Sequence, residues 1–484
     1  VMESVTRRTF LTGSGAVAAA GLLGACDTAA DSAGRAGSAD VLTWWDHSPN
    51  LKPINQKIFA AFEKKPDGAK VQYTLQQTSK MGQTLQLAKQ SSQLPDITTA
   101  AGLELPLSSL VDGKWFQPIE LDDEALARLK SELYDGFHRI DGKLYTFPLF
   151  SVRTHNSAVW FNTELAGKAG LDPGTPPRTF DAFRAAARKM QDASGGGNGW
   201  ICNIGMPERL SAQVNELAQC SGFQGNRGQL FQTGDYAYHD DAFLTAIEFL
   251  LSLHRDKLMA PGSTTMDDKQ ARARFATGRI GYYIDGPWCA GVINETLKPF
   301  APKLGGGGLL TADAAQKPAV YVVPTQGMYH LTANAKDPAL ASRLLSMATT
   351  EEYYVGIANG MARPPLDLGA IDKAEVLPAY KSVVTSFRDE VFLGPHELLK
   401  NPAVSAVQAK SKPIKPGLGE IVQGAFSGDV TNLRSELTKL SDAANRQRDA
   451  NITAAKGAGA KVGRDDFAFT DWKPYADYGP DKYK

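Results

Sequence analysis

From Val41 onward, short β-type runs alternate with stretches of helical periodicity, and that alternation restricts the chain to α/β architectures. Val41-Leu42-Thr43-Trp44-Trp45 reads as a strand closed by Asp46-His47-Ser48-Pro49; Ile54, Ile58, Ala61 and Phe62 come next at helical spacing. Val71–Leu75 alternates as a second strand, Leu85, Leu87 and Ala88 mark a second helix, and Pro95-Asp96-Ile97-Thr98 opens a third strand. Such an order predicts largely parallel sheets. Ile140-Asp141-Gly142-Lys143 signals a hairpin, Ser157–Phe161 a further strand, and Thr179 stands where it would cap a helix starting near Phe180. Later, Phe243, Ile247 and Leu250 share a helix face, and Arg279–Ile284 forms a strand that stops at Asp285-Gly286-Pro287. Residues 337–359 and 429–450 read as helices, and Gly305–Gly308 as a loose loop. At 484 residues the chain outgrows one hydrophobic core, so two or three domains, or a large two-lobed fold, are expected.

Charge narrows the partners. Lys+Arg and Asp+Glu number 52 each, so no bulk charge recruits nucleic acid. The one long apolar stretch lies at the N-terminus, where a basic start runs through Ala/Gly-rich residues to Ala25, the pattern of an export signal. Arg7 and Arg8 with Phe10 and Leu11 resemble the twin-arginine signal. Leu23-Gly24-Ala25-Cys26 resembles a bacterial lipobox, which implies cleavage before Cys26 and a diacylglycerol on its thiol. Residues 26–39 then serve as the lipidated cysteine and a flexible tether. Loss of residues 1–25 removes Glu3, Arg7 and Arg8, leaving 50 basic against 51 acidic residues. Cys202 and Cys220 are candidates for pairing in an oxidising exterior, with buried free thiols as the alternative.

The seven histidines form no pair at metal-ligand spacing, and the sequence holds no CxxC, phosphate loop or GxSxG elbow. No enzyme and no cofactor are expected, although spatially paired carboxylates remain open. Several segments in order resemble the carbohydrate-binding, maltose-binding-protein-like solute-binding proteins of ABC importers. They are Leu94-Pro95-Asp96-Ile97, Asp141–Pro148 (DGKLYTFP), Trp160–Leu165 with Ala169–Asp172, Pro177–Phe183, and Phe275–Gly281 with Gly286-Pro287-Trp288 after it. The resemblance implies a two-lobed periplasmic-binding-protein-like α/β fold with a hinge and an interlobe ligand cleft. It places the first lobe at residues 40–153 with about 322–372, and the second at 154–321 with about 373–450, with 451–484 as a C-terminal tail. Its function would be to capture a sugar or oligosaccharide by lobe closure and deliver it to permease subunits, as a monomer lipid-anchored outside the cytoplasmic membrane. A non-sugar solute such as a peptide or polyamine on the same fold, or an exported carbohydrate-active enzyme, are the alternatives.

Ligands of open α/β sheets sit beyond strand C-terminal ends, and sugars want aromatic platforms beside planar polar groups. That logic selects Trp44, Trp45 and Asp46 after the first strand, and Asp285 and Trp288 after the strand of residues 279–284. Trp44 and Trp45 point to opposite faces, so only one is expected at the cleft. The resemblance makes Trp288 a sugar-stacking residue and places polar contacts near Glu104. Arg153 and Asn156 lie at the expected first lobe crossing, facing either ligand or hinge, while Trp200, Tyr236 and Tyr238 are either platform or packing.

Overall fold

Two separate sheets organise the computed structural model, which describes residues 41–103 and 105–483. The expected export signal, Cys26, the tether and Glu104 lie outside the described residues. The first sheet runs in the order Lys70–Leu75, Val41–Asp46, Ile97–Thr99, Tyr329–Thr332, Phe116–Gln117. Val41–Asp46 is parallel to both of its neighbours. Parallel pairing needs crossover helices, here Lys52–Glu63, which buries Ile54, Ile58, Phe59 and Phe62, and Thr78–Gln90. These side chains meet Trp44, Ile97, Leu331, Leu344 and Tyr353 in the core of the first lobe.

The second sheet runs Leu304–Gly307, Ala158–Asn162, Ile280–Asp285, Asn198–Ile201. Ala158–Asn162 and Ile280–Asp285 are buried at every position, as central strands covered on both faces must be. Phe183, Trp200 and Phe243 fill one side and Trp160, Tyr283 and Phe387 the other. The expectation of largely parallel sheets fails here, because two of the three pairings are antiparallel. Asp285 stands opposite Ala158, so Ile280–Asp285 returns the chain toward the segment by which it entered.

Residues 305–307 belong to a strand rather than to the expected loose loop. A Cβ on Gly305 would lie 2.3 Å from the Phe161 ring, and one on Gly306 2.4 Å from the Ala379 carbonyl oxygen. Glycine is therefore required by close approach, not by mobility. The hairpin at Asp141-Gly142 and the Thr179 cap form as expected, with positive φ at both turn residues and Ala182 N–H donating to Thr179 Oγ1. The expected helix of residues 337–359 is two, Pro338–Met347 and Glu351–Asn359, and Thr350 caps the second.

Three segments cross between the sheets: residues 150–157, 308–328 and 361–377. A parallel pair, Val320–Val322 with Val391–Leu393, lies at the crossings. The last long helix extends beyond residue 450 to Gly457, and the C-terminal segment after it packs against the crossings. Within the expected C-terminal tail of residues 451–484, Phe469, Trp472 and Tyr478 join Phe231, Ala319 and Tyr321 in a buried cluster. Cys202, Cys220 and Cys289 are free and buried, and burial pushes the Cys202 thiol up to about 12. Among the described residues no helix is long and apolar enough to cross a membrane.

Candidate functional site

The end of the first strand is sealed. Trp44 is 0% exposed, packed against Phe59 at 5.1 Å and edge-on to Tyr329 at 4.5 Å. Asp46, also 0% exposed, accepts hydrogen bonds from His47 N–H (2.7 Å), Ser48 N–H (2.9 Å), Asn55 Nδ2 (3.0 Å), Tyr73 OH (3.1 Å) and Tyr329 OH (2.7 Å). A carboxylate with five donors has no lone pair left for a solute. Trp44 and Asp46 are thus core residues, contrary to their expected place at the cleft, because strand alternation turns both inward. Trp45 takes the opposite face and is half-buried against the cluster containing Met81 and Leu85.

Asp285 is likewise closed off. Arg272 Nε donates to it at 2.7 Å, Gly286 N–H at 2.8 Å and the Trp288 indole at 3.2 Å. Burial raises its carboxyl above the ordinary value against the pull of Arg272. The expected sugar-facing Asp285 is therefore a buried anchor for the tryptophan beside it. Trp288 is half-buried, with the Arg209 guanidinium 4.5 Å from its ring centroid, so a cation covers the platform expected for a sugar.

Arg209 links this end to the first crossing. Its Nη1 donates to Asn156 Oδ1 at 2.7 Å, and Asn156 Nδ2 donates to Glu216 Oε1 at 2.7 Å. The buried Glu216 also accepts from Asn156 N–H and from Ser157 Oγ, and burial lifts its carboxyl above the usual range. Asp285, Trp288 and Asn156 thus join one polar chain through Arg209 and Glu216, neither of which the sequence singles out. Both sit on the helix Pro207–Gln219, where an amphipathic pattern alone hides them. Arg153 goes elsewhere: its guanidinium forks onto Asp477 (3.0 and 2.5 Å) and donates to Val391 O at 2.7 Å.

Asn156 lines a cavity of about 750 Å³ where the crossings meet the second lobe. Val152 and Thr154 border it from the first crossing, Val320–Val323 and Thr325 from the second, and Ser211, Asn215, Glu216 and Gln219 from the helix. Tyr238 also lines it, whereas Trp200 is buried in the core. Amides and hydroxyls on this wall alternate with valines and with charged side chains, Arg227, Arg363, Lys415 and Glu420 among them. Among the described residues no group of His, Cys, Asp or Glu would hold a metal ion.

Two α/β lobes whose crossings frame a polar cavity are the architecture of a solute receptor. Residues 44–355 match the family model of the bacterial extracellular solute-binding protein, and the chain belongs to that family, as the quoted motifs imply. Residues 4–24 match the model of the twin-arginine translocation pathway signal sequence, in accord with an exported protein. No curated protein sequence matches the chain. The GacH receptor of Streptomyces glaucescens, solved unliganded and with acarbose, is similar at 15% identity and TM-score 0.57, over 84% of this chain and 98% of that one. The sugar-binding protein MalE of Xanthomonas citri shares 14% identity at TM-score 0.60, over 87% and 100%. An ABC transporter solute-binding protein from Thermotoga lettingae, bound with α-D-tagatose, shares 19% at TM-score 0.57, over 85% and 100%. At such identities the likeness is one of fold. These relatives are binding proteins, not enzymes.

Proposed function

We propose that this exported receptor captures a saccharide in the cavity at the crossings, closes its lobes about it and presents it to permease subunits of an ABC importer. The observation that carries this reading is the 750 Å³ cavity itself, bordered by chain crossings and furnished with Asn156, Asn215, Asn226, Ser211 and Tyr238. Planar amides and hydroxyls suit a rim of sugar hydroxyls, and Tyr238 adds a ring face. A thermal-shift screen of mono- and oligosaccharides tests the proposal, because a ligand at 100 times its Kd adds about 2.7 kcal/mol of stability. A shift with peptides or polyamines and with no sugar would replace the saccharide reading. Release of product from an oligosaccharide would make the protein an enzyme.

The lipid anchor rests on Cys26 and the polar stretch behind it. Cys26→Ala is expected to abolish the acyl mass and either free the folded protein from the membrane fraction or leave the precursor uncleaved. Unchanged mass and unchanged retention would refute lipidation.

A further inference from the structure

Most arginines at structurally demanding positions in this chain have a carboxylate: Arg153 has Asp477, Arg178 has Glu390, Arg184 has Asp256, and Arg272 has Asp285. Two that line the cavity do not. Arg227 and Arg363 both border it, and neither side chain has a hydrogen bond or ion pair among the described residues.

Arg227 sits at the tip of the hairpin formed by Gly225–Asn226 and Gln229–Leu230. Its φ of 49° and that of Gly228, 77°, place both tip residues in the left-handed region, where asparagine or glycine fits without steric cost. The tip is fixed rather than loose. Tyr238 OH donates to Arg227 O at 2.6 Å, Ala237 N–H donates to Gly228 O at 2.7 Å, and a Cβ on Gly228 would lie 2.3 Å from the Tyr238 ring. An exposed arginine is thus held at a disfavoured backbone position with no protein partner for its guanidinium among the described residues. It also borders an adjoining cavity of about 530 Å³, which shares Asn226, Val323 and Thr325 with the first.

Arg363 lies on the third crossing, directly before Pro364 and Pro365, which stiffen the backbone. Its guanidinium lies over the Phe150 ring, 4.6 Å from the centroid, which orients the group without neutralising it. The carboxylates around the cavity do little to offset these two charges. Burial lifts Glu216 toward its neutral form and Arg209 is its charged neighbour, Glu420 is paired with Lys415, and Glu397 borders the adjoining cavity but not this one. Glu208 is exposed and lies within coulombic reach of Lys415.

We infer that the solute carries an anionic group, a carboxylate or a phosphate or sulfate ester on a saccharide, which Arg227 and Arg363 read. A guanidinium offers a planar fork of donors that matches such an oxyanion with two parallel hydrogen bonds, and charge-assisted bonds of this type are the strong ones. The inference rests on the saccharide reading above and adds the charge. Because one arginine is on the second lobe's hairpin and the other on a crossing, an anion held by both would favour the closed arrangement over the open one.

Calorimetric titration of the exported protein with neutral di- and trisaccharides, the corresponding uronate oligosaccharides, sugar phosphates, simple dicarboxylates and inorganic phosphate separates the possibilities. At least one acidic saccharide is expected to bind tenfold or more tighter than its neutral counterpart, with affinity falling as salt is raised. Arg227→Gln and Arg363→Gln are each expected to weaken that binding roughly 10- to 100-fold with the melting temperature unchanged, and Arg363→Lys to recover part of the loss. Neutral sugars binding as tightly as acidic ones would overturn the charge while leaving the saccharide reading in place. Dicarboxylates or phosphate binding with no saccharide bound would uphold the charge and overturn the saccharide. Silence toward every anion overturns the inference.

Discussion

Asp285 shows how a residue placed at a strand end for ligand chemistry becomes a structural anchor. Its carboxylate receives Arg272, the Gly286 amide and the Trp288 indole with no exposed surface. Asp285→Asn would leave Arg272, itself 4% exposed, with Asp268 as its only carboxylate. Breaking a buried pair from one side is expected to cost on the order of 3 kcal/mol. Melting curves and calorimetry read together check this: the melting temperature should fall further than the affinity does, and the reverse would put the carboxylate in contact with solute. The strand and its Asp-Gly-Pro stop are legible in the sequence, and so is the tryptophan after it. What is not legible is the third dimension. Nothing in the spacing of Arg209 or Arg272 says that one covers Trp288 and the other neutralises Asp285, since both pairings join elements set side by side only by the sheet. Trp44 and Asp46 mislead for a related reason: alternation says that they share a face, but not which face is core.

At the scale of elements, the strand–helix alternation from Val41 to Asp285 was legible because each period is local. Two stretches were not. Residues 305–307 look like a loop because glycines lack β propensity, yet their strand exists through close packing on Phe161 and Ala379. The segment after Gly457 reads as a tail because its apolar residues are sparse, but Val462, Phe467, Phe469, Trp472 and Tyr478 are buried. Trp472 packs 4.9 Å from Phe231 and 5.0 Å from Tyr321, while Asp477 holds Arg153 and accepts from Leu393 N–H. The C-terminal segment is therefore expected to contribute to global stability. Trp472→Ala should cost about 3–5 kcal/mol by emptying a buried indole site. Asp477→Asn should cost about 1 kcal/mol or less, because that ion pair is partly open to solvent. Equal small effects in denaturant titrations of the two variants would show that the segment detaches without consequence for the fold.

Three histidines set how the whole molecule responds to acid. His138, His155 and His330 are buried, and burial lowers each from 6.5 to about 3. His155 lies edge-on to Phe387 at 4.6 Å and His330 stacks on Phe116 at 4.2 Å, so the imidazoles sit among aromatic rings that give a cation little solvation. The sign is set by proton counts. Between about pH 6.5 and 3 the unfolded chain binds protons at these sites and the folded chain does not, so their stability is complete above 6.5 and lost as pH falls. Each contributes a slope of roughly 1.4 kcal/mol per pH unit within that window. Glu216 and Asp285 act the other way. Burial raises both above their ordinary 4.5 and 3.8, so the stability tied to their protonated forms is complete below those values and lost as pH rises. Their opposing slope runs upward from those values and offsets part of the histidines' slope, so three lowered histidines against two raised carboxyls leave a net fall between pH 6.5 and about 5. Denaturant-derived stability is thus expected to fall over that interval with an uptake of between one and three protons on unfolding. Replacing His155 with asparagine should reduce the slope by about one proton, whatever its effect at neutral pH. A flat profile from pH 7 to 5 that the His155 replacement also leaves unchanged would mean that the ring titrates in the folded protein as it does in the unfolded chain.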